Sequence, residues 1–203
     1  MNIPEEYVVI GVLVAVAAVM ISMLLLSQSS SSSGKIPTIM GLATGNPPYR
    51  VSQEQALEIA EKCPDCASIR PVLSRIYGNS RIEYRYMAVP DFTPEQRLEG
   101  DENFFDEDMK FQKPVEDRLD AFREKAVPLV SRVCKEALAD AGVTPDAIGK
   151  LVVVSSTGFV GPGLDCELIK TVGLSRDVDR SLIGFMGCAA AINGFRVAND
   201  YAV

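Results

Sequence analysis

Residues 151–188 read LVVVSSTGFVGPGLDCELIKTVGLSRDVDRSLIGFMGC, and the order of elements within them decides the fold. Leu151 to Ser155 is a short β-branched run bounded by turn residues, the pattern of a buried strand. Thr157-Gly-Phe-Val-Gly-Pro-Gly163 is a glycine-rich turn. Asp165 to Thr171 predicts a helix, and Arg180 to Phe185 a second strand that ends at Gly187-Cys188. An alanine-rich helix opens at Cys188. Strand, helix, strand, helix in this order predicts an α/β fold with buried strands.

Cys188 is the residue in this stretch with the chemistry of a nucleophile. A thiol where a strand turns into a helix meets the positive end of the helix dipole, which favours nucleophilic sulfur. Cysteine nucleophiles usually also need a base or a cationic partner, most often histidine. The chain contains no histidine. Two readings follow: Cys188 is an inert structural cysteine, or the sequence is the first part of a longer enzyme.

Upstream, the longest predicted helix runs from about Val115 to Ala141. Val115, Leu119, Phe122, Ala126, Leu129, Val133 and Ala137 recur at three- and four-residue steps and form one apolar stripe. Pro128 should kink this helix, Gly142 should end it, and Thr144-Pro145 should cap a short helix after it. Asp101 to Asp108 is acidic and reads as a solvated loop, because its carboxylates lack a calcium-loop pattern. Ile82 to Val89 alternates loosely and predicts a strand. Residues 68–77 predict a short helix stopped by Gly78. Ser52 with Gln55 has the spacing of a capping box, so a helix should run from Val51 to about Cys63. Ile36 to Met40 is an apolar run that opens the globular part as an edge strand and breaks at Thr44-Gly-Asn-Pro-Pro48.

The first 34 residues read differently. Tyr7 to Leu26 is an uncharged apolar run long enough to span a bilayer as a single helix. Ser27 to Gly34 is a low-complexity serine linker. All 20 Lys and Arg lie beyond residue 34, whereas a cleavable signal peptide has a basic start. Residues 1–34 are therefore expected to be a membrane anchor with a serine-rich linker, and the positive-inside bias places the globular part in the cytosol. The alternative is a leader directing the protein to a plastid or the endoplasmic reticulum. The net charge of −7 gives no reason to expect nucleic acid. Five cysteines at irregular spacing do not form a disulfide framework. Cys63-Pro-Asp-Cys66 has the spacing of half a zinc site, but no second pair or histidine completes it, so no metal is expected.

Val153-Val-Ser-Ser-Thr-Gly-Phe-Val-Gly-Pro-Gly-Leu-Asp165, Gly173-Leu174 and Gly187-Cys188, in that order and spacing, resemble the amino-terminal half of chalcone-synthase-like type III polyketide synthases. Gly41-Leu-Ala-Thr-Gly-Asn-Pro-Pro48 and Ser80-Arg-Ile-Glu-Tyr-Arg-Tyr-Met87 extend the resemblance to about Lys35–Val203. It implies a thiolase-like fold, with residues 35–203 as the first half of a condensing domain. It also implies that Cys188 accepts an acyl group from a CoA starter, that malonyl-CoA is decarboxylated and condensed onto it, and that the chain then cyclises. The family's histidine and asparagine come from its carboxy-terminal half, so residues 1–203 alone are expected to be inactive. CoA thioesters are substrates, no separate cofactor is implied, and the family assembles as a homodimer.

The same resemblance assigns substrate-binding roles. Ser156 and Thr157 align with small polar residues of the initiation pocket. Gly161 stands where plant members commonly carry a methionine that reaches into the partner subunit, which implies a roomier pocket for longer acyl starters; an ordinary turn at Gly161-Pro-Gly163 is the other reading. Of the three basic CoA-contacting positions, Arg75 matches one, while Val72 and Asn79 occupy the others. Arg70, Arg81 and Arg85 are the other guanidinium groups of that region suited to phosphate. Two other classes of function stay open. One is a membrane-anchored 3-ketoacyl-CoA synthase or ketoacyl synthase III, whose product would be linear rather than cyclised. The other is a non-catalytic half-domain that binds acyl-CoA or a partner.

Overall fold

The computed structural model describes residues 8–14, 18–23, 36–93, 103–106, 110 and 113–202. Its first two elements overturn the membrane anchor. Val8–Val14 (β1) and Ala18–Met23 (β2) are strands, antiparallel to each other. Ile39–Gly45 (β3) pairs antiparallel with β2, and β1 pairs in parallel with the later strand Ile148–Ser155. A bilayer-spanning helix satisfies its peptide groups within the segment, whereas these backbones pair with neighbouring strands. No helix among the described residues is long and apolar enough to cross a membrane. The expected single apolar helix, the membrane contact through residues 7–26 and the membrane-anchored localisation are all corrected by this sheet. The physical reason lies in the run itself. Val8, Val9, Ile10, Val12, Val19 and Ile21 are β-branched, and an unbroken apolar stretch does not tell buried strand from helix. The serine tract 27–34 lies outside the described residues.

Chain contacts divide the protein into two compact units, Met1–Gly45 with Leu119–Val203, and Asn46–Arg118. In the second unit, Tyr49–Ser52 (β4) leads directly into helix Gln53–Lys62 (α1). Ser52 and Gln55 form the expected capping box: the Ser52 hydroxyl accepts from the Gln55 N–H, and the Gln55 side chain accepts from the Ser52 N–H. Helix Arg70–Asn79 (α2) packs on α1 and passes through Gly78, which therefore does not end it. Tyr84–Met87 (β5) pairs antiparallel with β4. Buried Gln53 ties these pieces together, donating to the Tyr77 carbonyl and to Ser80 Oγ while accepting from Arg85 Nε. Part of the acidic stretch departs from a solvated loop. Asn103 is buried, and Asp91 Oδ1 accepts from the N–H groups of Phe104 and Phe105 at 2.6 and 2.8 Å.

Helix Val115–Ala141 (α3), which belongs to the first unit from Leu119 onward, has the expected bounds and runs through Pro128. Gly142, at φ +67°, ends it in the left-handed conformation, and the Val143 N–H reaches back to the Leu138 carbonyl. Thr144 makes no side-chain cap bond to the short 3₁₀ turn Pro145–Ala147 that follows. Next come Ile148–Ser155 (β6), Leu164–Leu168 (α4) with a π-helical turn at Ile169–Gly173, Asp179–Gly184 (β7) and Ala190–Ala202 (α5). The five-stranded sheet runs β3-β2-β1-β6-β7, with β1, β6 and β7 mutually parallel.

Strand β6 is covered on both faces, which explains its unbroken apolar run. Ile148, Leu151 and Val153 join Val130, Val133, Ala137 and Leu138 of α3 in one core cluster. Val152 and Val154 meet Ala190, Ala198 and Ala202 of α5 in the other. The small residues on α5 let the helix lie close: a β-carbon on Gly194 would sit 2.8 Å from Val154 Cγ2. At the other end of α5 the Tyr201 hydroxyl donates to the Gly149 carbonyl, which ties the helix to the start of β6. The apolar stripe on α3 becomes buried only from Val130 onward, and Val115 is exposed.

Cys134 lies inside the first cluster, and burial pushes its thiol up from 9.0 to about 12. The folded value exceeds the unfolded one, so the stability this difference contributes is complete below pH 9. It is lost as pH rises toward 12, because only the unfolded chain ionises in that window. Urea midpoints should therefore fall more steeply above pH 9 in the wild type than in Cys134→Ala. Equal slopes would show that Cys134 is not buried as described.

Candidate active site

The parallel register of β6 and β7 places Ser155 beside Gly184 at the carboxyl end of the sheet. Each strand then hands its chain to a short connection at that end. After β6 come exposed Ser156 and Thr157. Ser155 Oγ donates to the Thr157 carbonyl at 2.8 Å and lies 3.2 Å from the Thr157 N–H, which curls the backbone sharply at the strand end. After β7 come Phe185, Met186, Gly187 and Cys188, all exposed.

The Cys188 turn is made by two left-handed residues. Gly187 has φ +72°, as a close turn before Cys188 requires. Phe185 has φ +57°, which costs a bulky side chain of order 1–3 kcal/mol and persists only where neighbours hold it. The Ala190 N–H donates to the Gly187 carbonyl, and α5 begins at Ala190, two residues after Cys188. The thiol is thus exposed just ahead of a 13-residue helix rather than inside it. At the start of that helix the Ala190 and Ile192 N–H groups are taken by the Gly187 and Ala189 carbonyls.

The loop after β6 is pinned on α3 from two sides. Gly158, at φ +76°, lies so close to Phe122 that a β-carbon would meet three ring carbons at 2.2–2.4 Å. Arg123 Nη2 donates to the Gly161 carbonyl at 3.2 Å. Gly161 itself is exposed, precedes a cis peptide bond to Pro162, and has open space where a side chain would project. Between these anchors Phe159 stacks on Phe185, with ring centroids 3.9 Å apart and planes 15° from parallel. Behind the loop, Arg180 at the start of β7 donates to the buried Asp165 Oδ2 and approaches Cys166 Sγ at 2.8 Å. The Asp165 carboxylate holds the Arg180 guanidinium above its ordinary range, and the pair fastens α4 to β7.

Of the sequence-predicted residues, Cys188, Ser156, Thr157 and Gly161 lie on the connections that follow β6 and β7. Arg75 lies on the exposed side of α2 in the other unit. Arg70 and Arg81 are also exposed, while Arg85 is committed to Gln53 and lies over the Tyr77 ring at 4.7 Å. Among the described residues no group of His, Cys, Asp and Glu could hold a metal ion. Phe122, Phe159, Phe185 and the Asp165–Arg180 pair were not legible as site-forming residues. Their roles depend on contacts between segments distant in sequence and on a positive φ at a phenylalanine, which has no sequence signature.

Comparison with known proteins agrees with this fold. Residues 25–203 match the family model for chalcone and stilbene synthases, N-terminal domain. An alpha-pyrone synthesis polyketide synthase-like protein of Mycobacterium tuberculosis is 38% identical over 167 residues, which is 82% of this chain and 40% of that protein. A 3,5-dihydroxyphenylacetyl-CoA synthase of Amycolatopsis balhimycina is 30% identical over 83% of this chain and 40% of its own length. Among solved structures, PKS-I of the brown alga Ectocarpus siliculosus is 62% identical, with a TM-score of 0.72 over 85% of this chain and 45% of that chain. The 1,3,6,8-tetrahydroxynaphthalene synthase of Streptomyces coelicolor, a bacterial type III polyketide synthase, superposes with a TM-score of 0.60 at 26% identity. The chain spans about 40% of the length of the curated relatives it matches. Its core has the thiolase-like α/β fold, and the chain belongs to the chalcone and stilbene synthase family through that family's amino-terminal domain.

Proposed function

We propose that the whole protein is a type III polyketide synthase whose nucleophile is Cys188, and that this chain, with β1 and β2 in its sheet, supplies the first half of the condensing domain. The Cys188 sulfur attacks the carbonyl of an acyl-CoA, and CoA leaves as its thiol. Malonyl-CoA then loses CO₂, and the resulting enolate carbon attacks the acyl-cysteine, forming a carbon–carbon bond and releasing the sulfur. Repeated condensation gives a poly-β-keto chain that cyclises. The histidine and asparagine that assist these steps belong to the family's second half. The observation that carries this reading is an exposed cysteine on a tight strand-to-helix turn, in a chain of this family. The names of the mycobacterial and Amycolatopsis relatives, an alpha-pyrone and a 3,5-dihydroxyphenylacetyl-CoA synthase, favour cyclised products over the linear ones of an elongating enzyme.

In this reading Ser156 and Thr157 border the starter pocket. Arg75 contacts a CoA phosphate, for which a guanidinium is suited. The substrates are CoA thioesters with no separate cofactor, and the working form is a homodimer. Gly161 leaves the pocket open where a side chain could close it, which favours long acyl starters. Loading the full-length protein with a panel of CoA thioesters, followed by mass spectrometry of the Cys188 peptide, tests both parts. Fatty acyl adducts on Cys188 should form faster than small aromatic ones. Adducts of the opposite preference would remove the role of Gly161 and leave the nucleophile standing; no adduct on Cys188 would remove the enzyme assignment itself.

A further inference from the structure

We propose that the Phe159–Phe185 stack is a clasp that sets the backbone of the turn carrying Cys188. The inference rests on Cys188 being the nucleophile, and it assigns positioning roles to two residues that do not themselves react.

Phe185 lies three residues before Cys188 and is held at φ +57°, a conformation that only a glycine adopts freely. Phe185 is 59% exposed and Phe159 67% exposed, so burial in the core of this chain does not hold Phe185 in place. What faces the Phe185 ring is Phe159, stacked at 3.9 Å. Phe159 can serve as a fixed counterpart because its own loop is immobilised on α3, through Gly158 against Phe122 and through Arg123 on the Gly161 carbonyl. The chain of contacts therefore runs from α3 to the loop after β6, across the two rings, and into the turn that ends at Cys188. Gly187 needs no such help, since its φ of +72° carries no side-chain penalty. Removing either ring leaves the left-handed Phe185 backbone unsupported, unless residue 185 becomes a glycine.

That last condition separates a clasp from a simple apolar wall. In the full-length enzyme, two rates are to be followed for each variant: alkylation of Cys188 by iodoacetamide, and formation of the acyl-enzyme. Thermal melting confirms that each variant is folded. Phe159→Ala and Phe185→Ala should each slow both reactions by about tenfold, the equivalent of the left-handed strain no longer being held. Phe185→Gly should be faster than Phe185→Ala by about the same factor, although it removes the same ring. Adding Phe159→Ala to Phe185→Gly should cost little more. Equal losses for Phe185→Gly and Phe185→Ala would overturn the clasp in favour of an apolar wall. Unchanged alkylation in all the alanine variants would overturn it as well. Because alkylation is read without any substrate, failure of Cys188 to accept acyl groups would appear separately, as a wild-type protein that alkylates but does not load.

Discussion

Cys188→Ala in the full-length protein should abolish acyl loading, with turnover falling by roughly four orders of magnitude or more, as expected when a covalent nucleophile is removed. The structural cost should be small. Cys188 is exposed, makes no contribution to either core cluster, and sits outside the hydrogen-bonded body of α5. Substitutions at such positions usually stay within about 0.5 kcal/mol in stability. The informative comparison is with the other thiols. Cys63→Ala and Cys66→Ala, at the start of the chain between α1 and α2, should still load acyl groups. Cys134→Ala should weaken the fold by opening the core while leaving Cys188 able to load. Mass spectrometry of the acyl-enzyme together with urea unfolding separates these cases. A Cys188→Ala enzyme that still forms a covalent acyl adduct at a comparable rate would place the nucleophile elsewhere.

Gly158→Ala should be the most damaging single methyl group at the site. The residue is at φ +76°, so alanine there meets a backbone penalty of about 1 kcal/mol. The new β-carbon would also fall within 2.4 Å of three Phe122 ring carbons, and overpacking of that kind costs a further ~1–3 kcal/mol. The expected loss is thus about 2–4 kcal/mol in urea unfolding, a large part of the stability of a typical domain. The two terms can be taken apart. Phe122→Ala makes room for the methyl group but does nothing for the positive φ, so the double variant should be more stable than the sum of the single losses by about 1 kcal/mol or more. Strict additivity would mean that the Phe122 contact is not the obstacle. Because Thr157 and Phe159 flank Gly158, the single variant should also slow alkylation of Cys188 even in the fraction that remains folded.

The elements that were legible in advance share one property: their signals are local. The α3 bounds follow from an apolar period closed by Gly142, and the α1 start follows from Ser52 and Gln55 three residues apart. Strand β6 announces itself as a β-branched run, and Gly187-Cys188 as a strand end turning into a small-residue helix. Cys188 and the loop from Ser156 to Gly161 were visible for the same reason, since each is a short motif between two strongly patterned elements.

The errors also have a common cause. Tyr7 to Leu26 carries no charged residue and Ser22 alone sets no period, and such an apolar run satisfies a bilayer helix and a buried strand equally well. Only the backbone pairing of β1 with β6 and of β2 with β3 distinguishes them. The acidic stretch around Asn103 looked solvated because charge dominates its composition, yet the Asp91 carboxylate draws two of its backbone N–H groups inward. Sequence by itself determined the α/β class, the long helix, the capped helix and the cysteine at the strand-to-helix turn, because periodicity, caps and glycine turns act over a few residues. Tertiary structure alone decided that the first apolar run joins the sheet, that Phe122 and Arg123 pin the loop after β6, and that two phenylalanines 26 positions apart clasp the Cys188 turn. Those outcomes depend on which backbones find unpaired partners and which rings meet across the sheet end, and neither is written in the spacing of neighbours along the chain.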